Sequence, residues 1–215
     1  MNHSTNFFKR LSAFDLDGTL TKRNSTVSFG LYCCKQGKLP IITFLKCAKI
    51  YLEFFFGKKD QLSLHQEVGE LFFSHFHLDD LKKYHSEFLK KKLPELLYPP
   101  ALRALQLAKE RGDYLVLLSN SPDFLVEGFS KLLSFNSFQG SLYEEKKIKH
   151  SLDAQSKVKA VEKLLKTYSI SRENIDVYSD SFLDLPFLSL SADPIAVNPD
   201  TRLKKVAKYH KWKTL

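Results

Sequence analysis

The 215-residue sequence predicts an α/β protein, with helices on both faces of a parallel sheet and an all-helical block after the first strand. From residue 99 onward, short apolar runs alternate with helical patterns, as is typical of parallel strands joined by helices. One strand-like run near the N-terminus precedes a long region of helical periodicity. We therefore expect residues 1–23 and 99–215 to form the core and residues 24–98 to form an inserted helical cap.

The first strand is expected at residues 10–15, where an apolar run reaches the two aspartates of LSAFDLDGTL. Within the cap, QLSLHQEVGELFFSHF places its apolar residues broadly on one helical face. The next stretch, LDDLKKYHSEFLKKKL, begins with acidic residues and ends with lysines, a distribution that the helix dipole favours. Because strand signals are few in this region, we expect helices throughout the cap.

Residues 39–57, LPIITFLKCAKIYLEFFFG, are apolar and aromatic but carry Lys46, Lys49 and Glu53. Three charges in so short a segment argue against a transmembrane helix. We expect a buried or partly exposed amphipathic helix here. The alternative is peripheral contact with a membrane surface, which the lysines favour.

After Pro99 each helix and strand of the core is predicted from its own stretch of sequence. PPALRALQLAKERG is expected to be a helix because proline stands near its start and Gly112 just past its end. The apolar run YLVLLS at 114–119 is typical of a buried parallel strand. The remaining elements are a helix at 122–133, a candidate hairpin at 139–149, a helix at 154–168, a strand at 175–180, a short helix at 182–191, a strand at 194–197 and a helix at 201–210.

The formal net charge of +9 indicates either a solvated basic surface or attraction to an anionic partner. We expect no nucleic-acid partner, because the chain has no arginine-rich run, zinc-finger spacing or aromatic-interleaved RNA motif. The three cysteines, an odd number with two adjacent, are typical of reduced thiols. MNHSTNFFKR lacks the long apolar core of a signal peptide. These features favour a cytoplasmic protein, with a peripheral position at the inner membrane face as the alternative.

Polar side chains stand at or near the points where predicted strands end. The carboxyl ends of parallel strands meet at one edge of a sheet, and ligands bind there. The candidate residues are Asp15, Asp17, Ser119, Lys157, Asp180 and Asp184. We expect them to converge on one site.

Several carboxylates in one pocket cannot all stay charged without compensation. A hard divalent cation provides it, and oxygen ligands without histidine or cysteine point to Mg²⁺ and not to zinc. A metal, a lysine and a hydroxyl suit phosphoryl transfer, in which one carboxylate attacks phosphorus and a second handles the proton. Gly18 lets the backbone lie close to a phosphate, and Thr19 can supply a hydroxyl donor.

The segments FDLDGTL, LLSNS, the lysine of SKVKA and YSDSFLD resemble, in this order, the four motifs of the haloacid dehalogenase (HAD) phosphatase superfamily. The helical block after the first motif and the C-terminal AVNPDTRLKKVAKYHKW are similar to its phosphoserine-phosphatase-like branch, subfamily IB. The resemblance covers nearly the whole chain. It implies a Rossmann-like sheet core and a Mg²⁺-dependent phosphomonoester hydrolase that acts on a small phosphorylated metabolite through an aspartyl-phosphate.

The resemblance also implies a role for each acidic residue of the first and last motifs. Asp15 would be the nucleophile and a metal ligand. Asp17 would be the general acid/base and would lend its main-chain carbonyl to the metal. Asp180 would complete the Mg²⁺ ligands.

The phosphate would be held by Ser119 and Lys157, with Thr19 as a further donor. Asp184 would support the metal shell or orient the lysine. Lys159 is the runner-up for the lysine role, but the position before a Val-basic pair favours Lys157.

Two positions depart from the family pattern. Phosphoserine phosphatases carry a glutamate nine residues after the nucleophile, where it meets the substrate amine, and here that position is Asn24. Because a neutral amide does not neutralise an ammonium group, phosphoserine is not the expected substrate. Ser179 stands where many relatives have a glycine and is expected to be tolerated.

Three alternative functions stay open. A membrane-associated enzyme would act on a lipid phosphate such as phosphatidylglycerophosphate. A phosphotransferase would pass the phosphoryl group to an alcohol with the same motifs. A receiver-type regulatory domain also uses clustered aspartates, but Asp17 and the large cap argue against it. The sequence does not indicate the oligomeric state.

The cap also contains cysteines and histidines. Cys33 and Cys34 are expected to pack in the interior. Four cap histidines fit no single helix face, so we expect them to be solvated or partly buried and not to bind a metal. They are His65, His75, His77 and His85.

Overall fold

The computed structural model describes residues 8–144 and 147–215. In chain order its first elements are β1 (Leu11–Phe14), α1 (Ser25–Lys35), α2 (Ile41–Phe55), α3 (Gln61–Phe73), α4 (Leu78–Leu96), α5 (Pro99–Glu110), β2 (Tyr114–Pro122), α6 (Asp123–Leu132) and β3 (Ser137–Glu144). They continue with β4 (Lys147–His150), α7 (Ala154–Tyr168), β5 (Ile175–Ser179), α8 (Leu185–Leu188), β6 (Ile195–Ala196), α9 (Thr201–His210) and β7 (Lys213–Thr214). Short 3₁₀ turns lie at Arg172–Asn174 and Phe182–Asp184.

The strands form one sheet in the order β4-β3-β2-β1-β5-β6-β7. Neighbouring strands are parallel except β3 and β4, which form an antiparallel hairpin. Strand β1 lies between β2 and β5, and Leu11 aligns with Tyr114 on one side and Ile175 on the other. The predicted α/β class with a parallel sheet is confirmed.

Helices cover both faces of the sheet. The side chains of β1 alternate, with Leu11 and Ala13 in one buried cluster and Phe14 in the other. Helices α7, α8 and α9 pack in the first cluster, while α5, α6 and the cap helices pack in the second. The sheet is therefore shielded from water on both faces, as its apolar strands require.

Helices α1 to α4 follow β1 and precede α5, so the predicted helical block lies in the expected place. The two segments that connect it to the core run side by side. The Lys22 amide donates to the Leu96 carbonyl at 2.8 Å, and the Tyr98 amide donates to the Leu20 carbonyl at 2.8 Å. Thr21 forms a β-bridge with Leu97 between them. The division into a core (1–23 and 99–215) and a separate cap domain (24–98) stays a prediction.

Several helices begin where a side chain accepts a hydrogen bond from the backbone of the first turn. Asp60, Asp153 and Asp200 do this for α3, α7 and α9. Asn24 caps α1 in the same way, with its side-chain oxygen 2.9 Å from the Val27 amide nitrogen.

Some expectations need correction. Strand β2 runs to Pro122, three residues past its predicted end, and β7 was not predicted at all. His85, expected to be solvated or partly buried, is only 2% exposed and is surrounded by aromatic rings. The rings are those of Phe29, Phe88, Phe124 and Phe129.

The three cysteines are free thiols. Cys33 is fully buried in the cluster that contains the cap helices, and burial raises the pKa of its thiol to about 12. Cys33 therefore behaves as a packing residue, as its sequence context predicts.

The absence of a signal peptide was predicted from the first ten residues, of which residues 1–7 lie outside the described part of the chain. Among the described helices, α2 included, none has both the length and the apolar composition needed to cross a bilayer.

Candidate active site

The predicted site residues lie at the point where the chain changes direction across the sheet. From β1 the chain passes to β2 and β3 on one side and later returns to β5 on the other. Such a switch point leaves a crevice at the carboxyl ends of the strands. Asp15 directly follows β1, Ser119 lies toward the end of β2, and Asp180 directly follows β5.

Lys157 is the centre of a buried ion-pair network. Its Nζ lies 2.7 Å from Oδ1 of Asp15 and 2.7 Å from Oδ2 of Asp184. The hydroxyl of Ser179 donates to the same Asp184 oxygen at 2.8 Å. Lys157 is 3% exposed, whereas Lys159, the runner-up for the role, lies on the exposed side of α7. Asp184 thus contacts the lysine, the second of the two positions expected for it.

The carboxylates at this edge are poorly solvated. Burial raises the pKa of Asp15 to about 7, assisted by the charges of Asp184 and Asp17 and opposed by Lys157. Burial and the charge of Asp15 raise the pKa of Asp180 to about 8. Burial alone would lower the pKa of Lys157, but the charges of Asp15 and Asp184 outweigh it and raise that pKa. One lysine therefore does not neutralise all the carboxylates that converge here.

The donor set fits a magnesium ion. Within the described residues, no three histidine, cysteine or acidic side chains come together as a metal-holding group. The predicted donors, the carboxylates of Asp15 and Asp180 and the main-chain carbonyl of Asp17, are all oxygen atoms. Mg²⁺ is commonly bound by one or two carboxylates, with water and substrate phosphate as the other ligands.

Gly18 allows the loop after β1 to approach Asp180. Its φ is +82°, and a Cβ built at this position would lie 2.2 Å from Oδ2 of Asp180. The hydroxyl of the fully buried Thr19 donates to Oδ1 of the same carboxylate at 3.2 Å. Gly18 and Thr19 thus contact Asp180 in this structure, and their predicted contact with a phosphate stays a prediction.

The carboxylate of Asp17 points toward the cap. The backbone amide of Ser25, at the start of α1, donates to its Oδ1, and the hydroxyl of Ser121 donates to its Oδ2. The Ser119 hydroxyl lies 3.5 Å from the same Oδ2. Ser121 is also 3.0 Å from the Thr26 hydroxyl. The first cap helix therefore begins at the predicted acid/base, with its positive dipole end on the carboxylate.

Sequence reasoning missed Ser25 and Ser121. Ser121 stands two residues after Ser119 on the same strand, and side chains two apart share one face of a strand. That periodicity is a signal that could have identified it. Ser25 acts through its backbone amide, and the helix start at Asn24 is the corresponding signal.

Two cap side chains lie close enough to Asp17 for its charge to affect their pKa values. Partial burial, together with the charges of Asp17 and Asp180, raises the pKa of Tyr51 on α2. Burial lowers the pKa of His65 on α3, with Asp17 acting in the opposite direction. The hydroxyl of Tyr143 donates to the His65 carbonyl at 3.3 Å. No local pattern in the sequence distinguishes these residues from other cap aromatics and histidines.

Comparisons with known proteins agree with this geometry. A family model described as haloacid dehalogenase-like hydrolase matches residues 13–189. A histidinol-phosphatase of Neisseria meningitidis serogroup C (strain 8013) is 26% identical over 228 residues, covering 96% of this chain and 98% of that protein. The phosphoserine phosphatase SerB1 of Mycobacterium tuberculosis (strain ATCC 25618 / H37Rv) is 23% identical over 212 residues, covering 93% of this chain and 68% of that protein.

Solved structures share the fold. A protein with unknown function from Bordetella pertussis Tohama I superposes with a TM-score of 0.85 at 20% identity, covering 97% of this chain and 98% of that one. A phospho-aspartyl intermediate analogue of phosphoserine phosphatase superposes with a TM-score of 0.66 at 18% identity, covering 96% and 92%. Because the family model spans most of the sequence and the fold agrees, the chain belongs to the haloacid dehalogenase-like hydrolases and, as its motifs predict, is a phosphatase of this family.

Proposed function

We propose that the protein hydrolyses the phosphomonoester of a small metabolite in a Mg²⁺-dependent reaction that passes through an aspartyl-phosphate on Asp15. The observation that carries this proposal is the contact of Lys157 with both Asp15 and Asp184, next to Asp180, at the carboxyl end of β1. A lysine fixed in this way presents its charge to a phosphoryl group that bonds to Asp15.

In the first half-reaction an Asp15 oxygen bonds to phosphorus while the bond from phosphorus to the leaving oxygen breaks. Asp17 gives its proton to that leaving oxygen. The Lys157 ammonium and the Ser119 hydroxyl bind the equatorial phosphate oxygens. When bound, Mg²⁺ supplies positive charge to offset the phosphate oxygens and the Asp15 and Asp180 carboxylates.

In the second half-reaction Asp17 takes a proton from water, which attacks phosphorus and releases Asp15 and inorganic phosphate. Ser121 suits both protonation states of Asp17. With Asp17 as the carboxylate, the Ser121 hydroxyl donates to it and can accept from the Thr26 hydroxyl, 3.0 Å away. With Asp17 as the acid, the Ser121 oxygen accepts from Asp17 and its own proton can go to the Thr26 oxygen. The serine thus holds the acid/base in position through the cycle.

The leaving group would lie beneath the cap, near Tyr51 and His65. Burial lowers the pKa of His65, which favours the neutral imidazole with its one donor and one acceptor. Asn24 is a neutral amide whose side-chain oxygen caps α1, so it provides no anionic partner for a substrate amine. These features favour a polar or aromatic leaving group and offer a substrate amine no anionic partner at position 24. The name of the full-length Neisseria relative alone makes histidinol phosphate the first substrate to test, and its ammonium group would need a partner other than Asn24.

The test is a panel of phosphorylated metabolites, histidinol phosphate included, assayed with and without Mg²⁺. We expect repeated turnover with Mg²⁺, loss of activity with a chelator, and loss in Asp15→Asn. Asp193→Asn, at an exposed aspartate, is the matched control and should keep full activity. A single stoichiometric phosphorylation without turnover would instead assign the chain to the receiver type, and phosphoryl transfer to an added alcohol would assign it to the phosphotransferases.

A lipid phosphate is the second candidate substrate. The observation that favours it is an apolar face of α2 that is open to solvent. Vesicles that contain phosphatidylglycerophosphate belong in the same panel, and release of phosphate from them alone would select this candidate.

A further inference from the structure

Helix α2 has apolar side chains on two opposite faces. Thr43 and Ile50 are buried on the face that packs within the cap. The opposite face, with the residue that follows the helix, exposes large apolar side chains. They are Ile41, Ile42, Leu45, Leu52, Phe55 and Phe56, which we call the α2 outer face.

This exposure is unusual for a surface helix, whose solvent side is ordinarily polar. Phe55 is 75% exposed and Phe56 is 70% exposed. At 100° per residue, positions 41, 45, 52 and 56 fall within about 60° of arc, so the side chains form one continuous stripe. Continuous exposed apolar stripes mark surfaces that bind a partner or a membrane.

The charges around the stripe are positive. Lys46 and Lys49 lie along one edge, and the Lys49 side chain is 79% exposed. Lys58 is exposed just beyond the end of the helix. The acidic residue of the helix, Glu53, lies 3.9 Å from the Lys49 ammonium and 3.4 Å from the Lys59 ammonium. One carboxylate is thus shared by two lysines, and with Lys46 and Lys58 this edge keeps a net positive charge.

The positive charges around the α2 outer face indicate which kind of partner it binds. A second copy of the chain placed on the stripe would bring lysines against lysines, in a protein whose net charge is already +9. An anionic lipid headgroup layer complements the lysines and also accepts the phenylalanine side chains at its acyl boundary.

We propose that the α2 outer face docks the protein on the surface of an anionic phospholipid bilayer. Helix α2 lies in the interface plane, with Leu45, Leu52 and Phe55 inserted and Lys46 and Lys49 against lipid phosphates. The same helix carries Tyr51 near Asp17, so docking brings the catalytic edge close to the membrane surface. The proposal concerns docking alone and holds whichever phosphomonoester the protein hydrolyses.

The test is sedimentation of the full-length protein with vesicles of phosphatidylglycerol and phosphatidylcholine, compared with vesicles of phosphatidylcholine alone. We expect binding to the anionic vesicles that weakens as salt rises. Phe55→Ser should lower the partition coefficient about tenfold, and Lys46→Gln or Lys49→Gln should lower it about fivefold. Because no substrate is present, failure here leaves the proposed function untouched.

A matched pair separates the α2 outer face from apolar exposure in general. Leu52 is 55% exposed on the stripe, and Leu107 is 56% exposed on α5. Leu52→Ser should weaken vesicle binding, whereas Leu107→Ser should not, and circular dichroism should show that both variants fold. The proposal is overturned if the wild-type protein does not sediment, or if the two variants bind alike. It is also overturned if light scattering shows a dimer that Phe55→Ser dissociates while no vesicles bind.

Discussion

His85 should make the stability of the protein depend on pH in mildly acidic solution. Its imidazole is enclosed by phenylalanine rings, and its Nε2 has no hydrogen-bond partner in the described part of the chain. Burial lowers its pKa from the usual 6.5 to about 3. The folded state therefore keeps this ring neutral at pH values where the unfolded chain takes up a proton.

The sign follows from proton uptake. Between pH 6.5 and 3 the unfolded state binds one more proton at His85 than the folded state, so stability falls as pH falls through this range. Each pH unit below 6.5 costs about 1.4 kcal/mol, which gives a loss of about 2 kcal/mol between pH 7 and pH 5. The contribution is fully present above the pKa of the unfolded chain.

Urea unfolding at pH 7 and pH 5 measures this loss. His85→Leu removes the titrating ring, so the variant should lose about 2 kcal/mol less than the wild-type protein over the same interval. The exposed His77, which precedes α4, gives the control His77→Asn, which should behave like the wild-type protein. If wild-type and His85→Leu proteins lose the same free energy of unfolding, burial of a neutral His85 is not the cause and the reasoning is refuted.

Three further substitutions test the site. Lys157→Met should lower kcat by at least about a hundredfold and lower the free energy of unfolding by about 3 kcal/mol, because two buried carboxylates lose their counter-charge. The control Lys159→Met should change neither quantity. Phosphatase assays and urea unfolding of both variants measure this. Gly18→Ala should abolish Mg²⁺-dependent activity because the added methyl group would clash with Asp180. The control Gly37→Ala is also at positive φ but has open space around it, so it should lower the free energy of unfolding by only about 1 kcal/mol through backbone strain. Equal effects of the two substitutions on activity and unfolding would contradict this. Ser121→Ala should lower kcat about tenfold and shift the pH–rate profile with little change in KM, because it removes a hydrogen bond to Asp17 and no contact with the phosphate. An unchanged pH–rate profile would show that Ser121 has no part in the mechanism.

The sheet and the site edge were predictable because they follow from local periodicity and from one topological rule. Asp15, Asp180 and Ser119 each stand at or near the end of an apolar run, and parallel strands bring such ends together. In the structure Lys157 is buried beside Asp15 and Asp184, whereas Lys159 is exposed, and the phosphate-binding role of Lys157 stays a prediction. These residues depend on order along the chain and little on detailed packing.

Other features depend on contacts between distant elements and left no clear local signal. Strand β7 has only two residues, Lys213–Thr214, and pairs with β6 without an apolar run of its own. His85 is buried because α1 and α6 bring phenylalanines around it, which the α4 sequence alone does not reveal. Likewise, the apolar residues of α2 do not show which of its faces is covered and which is open.

The paired segments that join the cap to the core have a consequence for protein engineering. The bonds of Lys22 with Leu96 and of Tyr98 with Leu20 form a short ladder, and Asp17 lies one turn before it with its carboxylate on the Ser25 amide. A chimera that exchanges the cap between relatives by cutting inside this ladder would separate Asp17 from the helix that positions it. If the exchange points lie before the end of β1 and after Tyr98, the ladder and the first cap helix come from a single parent. The proposed acid/base Asp17 then keeps the helix that positions it, together with the cap that chooses the substrate.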